Sequence, residues 1–174
     1  MEAAGLPVAK GSSEPVTSAE VASSLADEIG YPVIIKAAAG GGGIGMQIVH
    51  EVSEFPSALR ICQSRAKSAF GDERVFVEKY IEGAEHIEFQ VLADGTDAIH
   101  FGERFCSIQR RHQKLLEEGP WLTQEVREEV GARVCAGARA VGYRGLATFE
   151  FLRDSSGEFY FLEVNPRVQV EHTV

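Results

Sequence analysis

The 174-residue sequence predicts an α+β fold, with mostly antiparallel sheets and flanking helices. Three observations predict it. Strand-like apolar or alternating segments outnumber helical ones. The helical patterns lie between them without a regular strand–helix–strand order. Several strands follow one another directly, as hairpins do. Hydrophobic content of 44% and charged content of 25% suit a globular chain that buries a core.

Residues 5–17 read as an extended, turn-rich entry containing Pro7, Gly11, Ser12, Ser13 and Pro15. Thr17 or Ser18 caps a helix over 19–29, and Gly30 ends it. "YPVIIK" is a strand, and "MQIVHEV" is a second one after a glycine run. A helix follows over 54–69. "RVFVEKYI" and "HIEFQVLAD" alternate as half-buried strands, and "AIHFGERFCSIQRRHQK" reads as one longer extended segment. Residues 123–141 carry a helical pattern, with Thr123 as N-cap and Gly142 as its stop. "GLATFEFLRD" and "EFYFLEVN" form a hairpin around "SSG".

The formal net charge is −9, so neither a nucleic-acid surface nor an anionic membrane is the expected partner. No apolar run is long enough to span a bilayer, and no signal peptide opens the chain. Cys62, Cys106 and Cys135 form no metal or redox motif, and their odd, scattered count suits a reducing cytoplasm.

Four features carry chemistry. In "KAAAGGGGIGM", Lys36 to Met46, the glycines lie between two strands rather than before a helix, which excludes a P-loop and a dinucleotide fingerprint. A flap whose backbone N–H groups turn to phosphates and a mobile surface loop both fit. In the last hairpin, pairing Arg153 with Tyr160 sets Glu150 opposite Glu163, with Thr148, Leu152, Phe161 and Asn165 on the same side. The other side carries Phe149, Phe151, Tyr160, Leu162 and Val164, a core face. Two carboxylates and an amide oxygen suit Mg²⁺ bound with phosphates, and Leu152 and Phe161 offer apolar surface to a flat base; a solvated polar face is the plainer alternative. Third, "QRRHQK" concentrates Arg110, Arg111, His112 and Lys114 in an acidic chain. Extended, it turns Arg110, His112 and Lys114 to one side, as an anion site or as a charged edge strand. In "NPRVQVEH", Arg167, Gln169 and Glu171 alternate likewise if extended, fitting an anion holder with a base, or an ordinary surface ion pair.

Together "GYPVIIKAAAGGGGIGM", "VFVEKYIEGAEHIEFQVLADG", "ERFCSIQRRHQK", "ATFEFL" and "FLEVNPRVQVEHTV" resemble biotin carboxylase, an ATP-grasp enzyme, over essentially the whole chain. The resemblance implies an entry segment at 1–18, an ATP-grasp lid over 19–83 and part of the catalytic platform over 84–174. It implies ATP contacts from Lys36, Gly41, Gly42, Gly43, Gly45 and Met46 in the lid. Glu78, Lys79 and Ile81 match the adenine site, and His86, Gln109, His112 and Leu152 match further nucleotide positions. Glu150 and Glu163, with Asn165 beside them, match the ligands of Mg²⁺ (or Mn²⁺). Lys114, Arg167, Gln169, Val170 and Glu171 match the bicarbonate site, with Lys114, Arg167 and Glu171 catalytic: Glu171 is the base and Arg167 holds the anion. The implied reaction phosphorylates bicarbonate with ATP, and the carboxyphosphate breaks to CO₂ and phosphate. Phosphate then deprotonates biotin, which captures the CO₂. The implied partners are a biotin carboxyl carrier protein or domain, a carboxyltransferase and a second copy of the chain.

Ile44 and Gln47 stand where many members carry basic residues, so this lid has less positive charge; Glu85 replaces another frequently basic residue, and weaker ATP affinity is expected. Members also extend beyond both ends of the matched stretch. This chain is therefore expected to be the central piece of a working enzyme, or else a non-catalytic nucleotide-binding fragment. A third reading, another acyl-phosphate-forming ATP-grasp ligase, is opposed by "RRHQK" and "NPRVQVEH", the parts closest to bicarbonate chemistry.

Overall fold

A computed structural model describes residues 1–39, 45–110 and 113–173. It divides into two compact units, one of residues 9–80 and one of residues 1–8 with 81–174. The entry segment is thus shared between units rather than standing alone.

The 9–80 unit contains helix α1 (Ala19–Ile29), strands β1 (Val33–Ala37) and β2 (Met46–Val49), helix α2 (Phe55–Phe70) and strand β3 (Val75–Lys79). Ser18 Oγ accepts the Val21 N–H at 3.3 Å, which caps α1, and Gly30 leaves it at φ 87°. The three strands form an antiparallel sheet in the order β2-β1-β3. Val33, Ile35, Val49, Val75 and Val77 supply one apolar face, packed on Ala22, Ala26, Phe55, Leu59 and Cys62 of the helices. Gly11 and Val16 run antiparallel to β3 at Glu78 and Val75, extending the sheet locally.

The second unit is a five-stranded antiparallel sheet backed by one long helix. Its elements are β4 (Glu85–Asp94), β5 (Ala98–Arg110), β6 (Gln113–Glu118), α3 (Gln124–Ala140), β7 (Arg144–Arg153) and β8 (Phe159–Asn165), with strand order β6-β5-β4-β7-β8. Thr123 Oγ1 accepts the Val126 N–H at 3.5 Å to start α3. Alternation in β4 and β7 sends Ile87, Phe89, Val91, Phe149 and Phe151 to the face packed by Val130, Val134 and Ala138 of α3. Each such buried side chain stabilises by about 1.5–3 kcal/mol. The Glu103 carboxylate accepts the Trp121 and Leu122 N–H groups at 2.9 and 2.7 Å and the Arg127 guanidinium at 2.6 Å, fixing the β6–α3 connection.

Two sequence expectations fail here. Residues 98–114 are not one extended segment. The chain reverses after Arg110, and Gln109 pairs with Lys114 across the β5–β6 hairpin. Apolar residues stop at Ile108 and resume at Leu115, and Arg110 and Lys114 lie on different strands. Second, Glu150 does face Glu163, but beyond it the register slips by one. Phe151 pairs with Phe161 and Arg153 with Phe159, which leaves Leu162 as the extra residue of a bulge. Phe161 therefore packs against the core, its ring 5.8 Å from Phe151 and 6.3 Å from Phe149, rather than on the side of the acids. The bulge lets Phe159, Phe161 and Val164 all pack on the apolar side.

Candidate active site

The face of the larger sheet opposite α3 is polar yet buried. Alternation along β4 places His86, Glu88 and Gln90 there, and Glu88 lies directly between Arg104 of β5 and Glu150 of β7. Glu88 is 0% and Arg104 2% exposed. Charges at that depth persist only when paired. Glu88 Oε1 accepts from Arg104 Nε at 2.7 Å, and Oε2 accepts from Lys114 Nζ. Lys114 also lies 3.3 Å from Glu171 Oε1 and 3.7 Å from Glu150 Oε1. Burial opposes the charged form of Lys114, but the hydrogen bond to Glu88 and the carboxylates Glu88 and Glu150 outweigh it and hold the ammonium above the ordinary lysine range.

Glu150 is the second anchor. Its Oε2 lies 2.7 Å from His86 Nε2, and Gln109 Nε2 lies 2.6 Å from His86 Nδ1. With the Gln109 amide as donor, His86 accepts at Nδ1 and donates from Nε2 to Glu150. Burial works against ionisation of Glu150, yet His86 and Lys114 keep its carboxyl below the usual range. Asn165 Nδ2 donates to Glu150 Oε1 at 2.6 Å. Glu163 is set opposite Glu150 by the strand register.

This donor set fits a hard divalent cation. Glu150 and Glu163 are neighbouring carboxylates, Glu150 stays ionised despite burial, and Asn165 already touches it. Rotation of the Asn165 amide would present its oxygen in place of its nitrogen. Local charge agrees: Glu88, Glu150 and Glu171 face the two cations Arg104 and Lys114, an excess of negative charge before Glu163 is counted.

Beyond β8 the chain is not extended: Val170–Thr173 is a short 3-10 turn. The alternation of Arg167, Gln169 and Glu171 fails accordingly. Gln169 is 6% exposed and acts on Glu150, helping to lower its carboxyl, while its buried Oε1 has no partner. Glu171 reaches Lys114 and is held below the usual carboxylate range: burial opposes this, but its own backbone N–H, Lys114 and Glu117 prevail. Arg167 stands apart and exposed, with Nη1 donating to Val168 O at 3.2 Å, and Val170 is 93% exposed.

In the 9–80 unit, Lys36 donates to Glu78, and Lys79 Nζ donates to the carbonyls of Gly30 and Tyr31, both at 2.9 Å. Met46 opens β2 opposite Lys36. Gly45 is buried at φ 74° beside it, and its carbonyl accepts the Ala37 N–H at 3.1 Å. Gly41, Gly42, Gly43 and His112 lie outside the described residues. Ile81 and Leu152 are half-buried, and Leu152 is paired with His86.

Sequence reasoning missed Glu88, Arg104 and Glu117. The signal for Glu88 was present, since "HIEFQV" alternates polar with apolar residues and leaves an acid on the same side as His86. Arg104 and Glu117 carry no such local signal, because only strand register brings them to Glu88.

Comparison with known proteins agrees with this geometry. The family described as carbamoyl-phosphate synthase L chain, ATP binding domain, matches residues 1–174. The chain is 51% identical to biotin carboxylase of Allochromatium vinosum and 51% identical to biotin carboxylase 1 of Bacillus subtilis. In both cases the match covers 100% of this chain, which spans 39% and 40% of the respective relatives. The solved biotin carboxylase-beta-gamma-ATP complex of Campylobacter jejuni superposes with a TM-score of 0.95 at 49% identity, covering 99% of this chain and 39% of that one. The biotin carboxylase domain dimer of the Hydrogenobacter thermophilus 2-oxoglutarate carboxylase, solved with MgADP, ADP and bicarbonate, gives 0.95 at 47% identity, with coverage of 99% and 39%. By fold and sequence, this chain has the ATP-grasp fold and belongs to the family described as carbamoyl-phosphate synthase L chain, ATP binding domain.

Proposed function

We propose that this chain carries the central part of a biotin carboxylase active site, in which ATP and bicarbonate carboxylate biotin by way of carboxyphosphate. One observation carries the reading: Lys114 is half-buried among Glu88, Glu150 and Glu171, and Gln169, whose buried Oε1 has no partner, acts on the same Glu150. A small anion with one O–H has there a cation to face, an acceptor for its hydroxyl and a carboxylate to take its proton. Glu171, kept ionised by Lys114, is that carboxylate. Arg167, exposed four residues earlier, swings in as the second cation. Glu150, Glu163 and Asn165 would hold a Mg²⁺, which would neutralise charge on the nucleotide phosphates. His86 and Gln109 fix the orientation of Glu150, and Lys36, Gly45, Met46, Glu78, Lys79, Ile81 and Leu152 contribute to nucleotide binding, together with Gly41, Gly42, Gly43 and His112. Val170 joins Gln169 at the anion.

The carboxylated biotin belongs to a carrier protein or domain and passes to a carboxyltransferase. The dimer and the bicarbonate complex described for the 2-oxoglutarate carboxylase support a dimer and that substrate here. Three buried free thiols support a reducing compartment, the cytoplasm. Among the described residues, no helix is long and apolar enough to cross a membrane.

The test is a graft. This chain replaces the matching segment of the Allochromatium vinosum biotin carboxylase, and bicarbonate-dependent ATP cleavage is measured with free biotin. Turnover that Glu171→Gln abolishes, with MgATP binding retained, is expected. A folded graft that binds MgATP but cleaves none in the presence of bicarbonate refutes the reading.

A further inference from the structure

Strand β6 is built inside out. Its leucines, Leu115 and Leu116, are 66% and 52% exposed, while its half-buried residues are Lys114 and Glu117. An edge strand normally shields its apolar side chains and leaves its charges in water. Register irregularities against β5 on either side of Ile108 let Lys114 and Glu117, three residues apart, both turn to the polar face. Lys114 is accounted for by the site described above. Glu117 is not.

The Glu117 carboxyl is placed as a protonated acid would be. Its Oε2 is shielded from solvent and has no hydrogen-bond partner, and the Arg104 Nε stands 3.6 Å away, too far to donate. One of its carboxylate oxygens comes within 4.8 Å of a Glu88 carboxylate oxygen and of Cys106 Sγ. The Cys106 thiol, pushed up by burial and by Glu88, stays neutral and supplies no charge. On its remaining side Glu117 meets Glu171 within hydrogen-bonding reach. Two carboxylate groups bond to each other only if one of them carries a proton.

We propose that Glu117 is a positioning residue for Glu171: its protonated carboxyl donates a hydrogen bond to the Glu171 carboxylate and holds that base in one orientation. The proposal rests on the reading of Glu171 as the base. The groups around Glu117 decide which partner holds the proton. Burial and the Glu88 carboxylate push Glu117 up to about 7, with Glu171 acting in the same sense and Lys114 and Arg104 against it. Glu171, paired with Lys114, is held low instead. At neutral pH and below, the proton therefore belongs to Glu117. An acceptor-only carboxylate at that position would repel the base.

The test is isotope-edited infrared titration of the 174-residue chain, labelled with ¹³C-glutamate. A protonated-carboxyl band that persists to about pH 7 is expected, lost in Glu117→Gln and titrating lower by about one unit or more in Glu171→Gln, where the like charge is gone. Absence of such a band at pH 6, or a band that Glu171→Gln leaves in place, overturns the proposal. In the graft, Glu117→Leu lowers kcat by roughly 10–100-fold with little change in the KM for ATP, and Glu117→Gln, which keeps a donor, recovers most of that loss. Equal losses in the two variants also overturn it. Should the unmutated graft fail to turn over, the biotin carboxylase reading fails, while the infrared titration still decides the state of Glu117.

Discussion

Replacing Arg104 with methionine removes the only guanidinium that reaches Glu88 among the described residues. Glu88 is wholly buried and would lose the donor on Oε1, at 2.7 Å, while Gln90 Oε1 would lose one of two donors, at 3.2 Å, and keep Thr148 Oγ1 at 3.4 Å. Breaking a buried pair from one side costs about 3–5 kcal/mol. The lower end applies here, because Lys114 still donates to Oε2 and leaves Glu88 half-compensated. The expected loss is therefore about 3 kcal/mol, roughly a hundredfold in the folding equilibrium. The chain has one tryptophan, Trp121, stacked on Phe105 with centroids 4.2 Å apart in the larger unit, so its fluorescence in urea follows that unit selectively. Glu88→Gln combined with Arg104→Met should cost less than the sum of the single changes by about 1–3 kcal/mol, since the double variant leaves no unpaired charge. A single-variant loss below about 1 kcal/mol, or strict additivity, would show that the pair is not an isolated buried unit.

Other expectations are as direct. Gly45→Ala forces a side chain into φ 74° with its Cβ 3.0 Å from Ala37 Cβ, so it should destabilise the smaller unit by about 1–2 kcal/mol, read as faster amide exchange at Ala37. Phe149→Ala empties a core position shared with Phe161 and should cost about 3–5 kcal/mol by Trp121 fluorescence, without altering the polar face. Glu117 binds its proton more tightly folded than unfolded, so its contribution is full below the ordinary glutamate range and is lost as pH rises to about 7. Glu117→Gln should flatten that decline, seen as urea midpoints measured from pH 5 to 7.5. Glu150 and Glu171, held low, act oppositely: their contribution is full above the unfolded value and is lost on acidification through the folded one.

What the sequence made legible was local. Ser18 and Thr123 are capping residues followed at once by apolar periodicity, so both helix starts could be read from a few positions. The Glu150–Glu163 pair was legible because the hairpin loop between β7 and β8 is short and a one-residue slip would send Phe149 and Val164 to different faces. The bulge at Leu162 was not, because an inserted residue leaves no mark until Phe159 and Phe161 are both seen to need the core. The reversal after Arg110 was misread because a polar run between apolar ones suits either an edge strand or a turn. Glu88, Arg104 and Glu117 escaped notice for a different reason: each is an ordinary charged residue until strands distant in sequence bring them together. The roles of Lys114 and Glu171 came from family resemblance, and the geometry supplies their physical setting.

The most direct test is a calorimetric titration of this chain with ATP, with and without Mg²⁺, repeated for Glu150→Gln. The account predicts binding that needs the metal and is lost or strongly weakened in the variant. Binding that is indifferent to both the metal and Glu150 would contradict it, because the paired carboxylates opposite β4 would then not be the cation site.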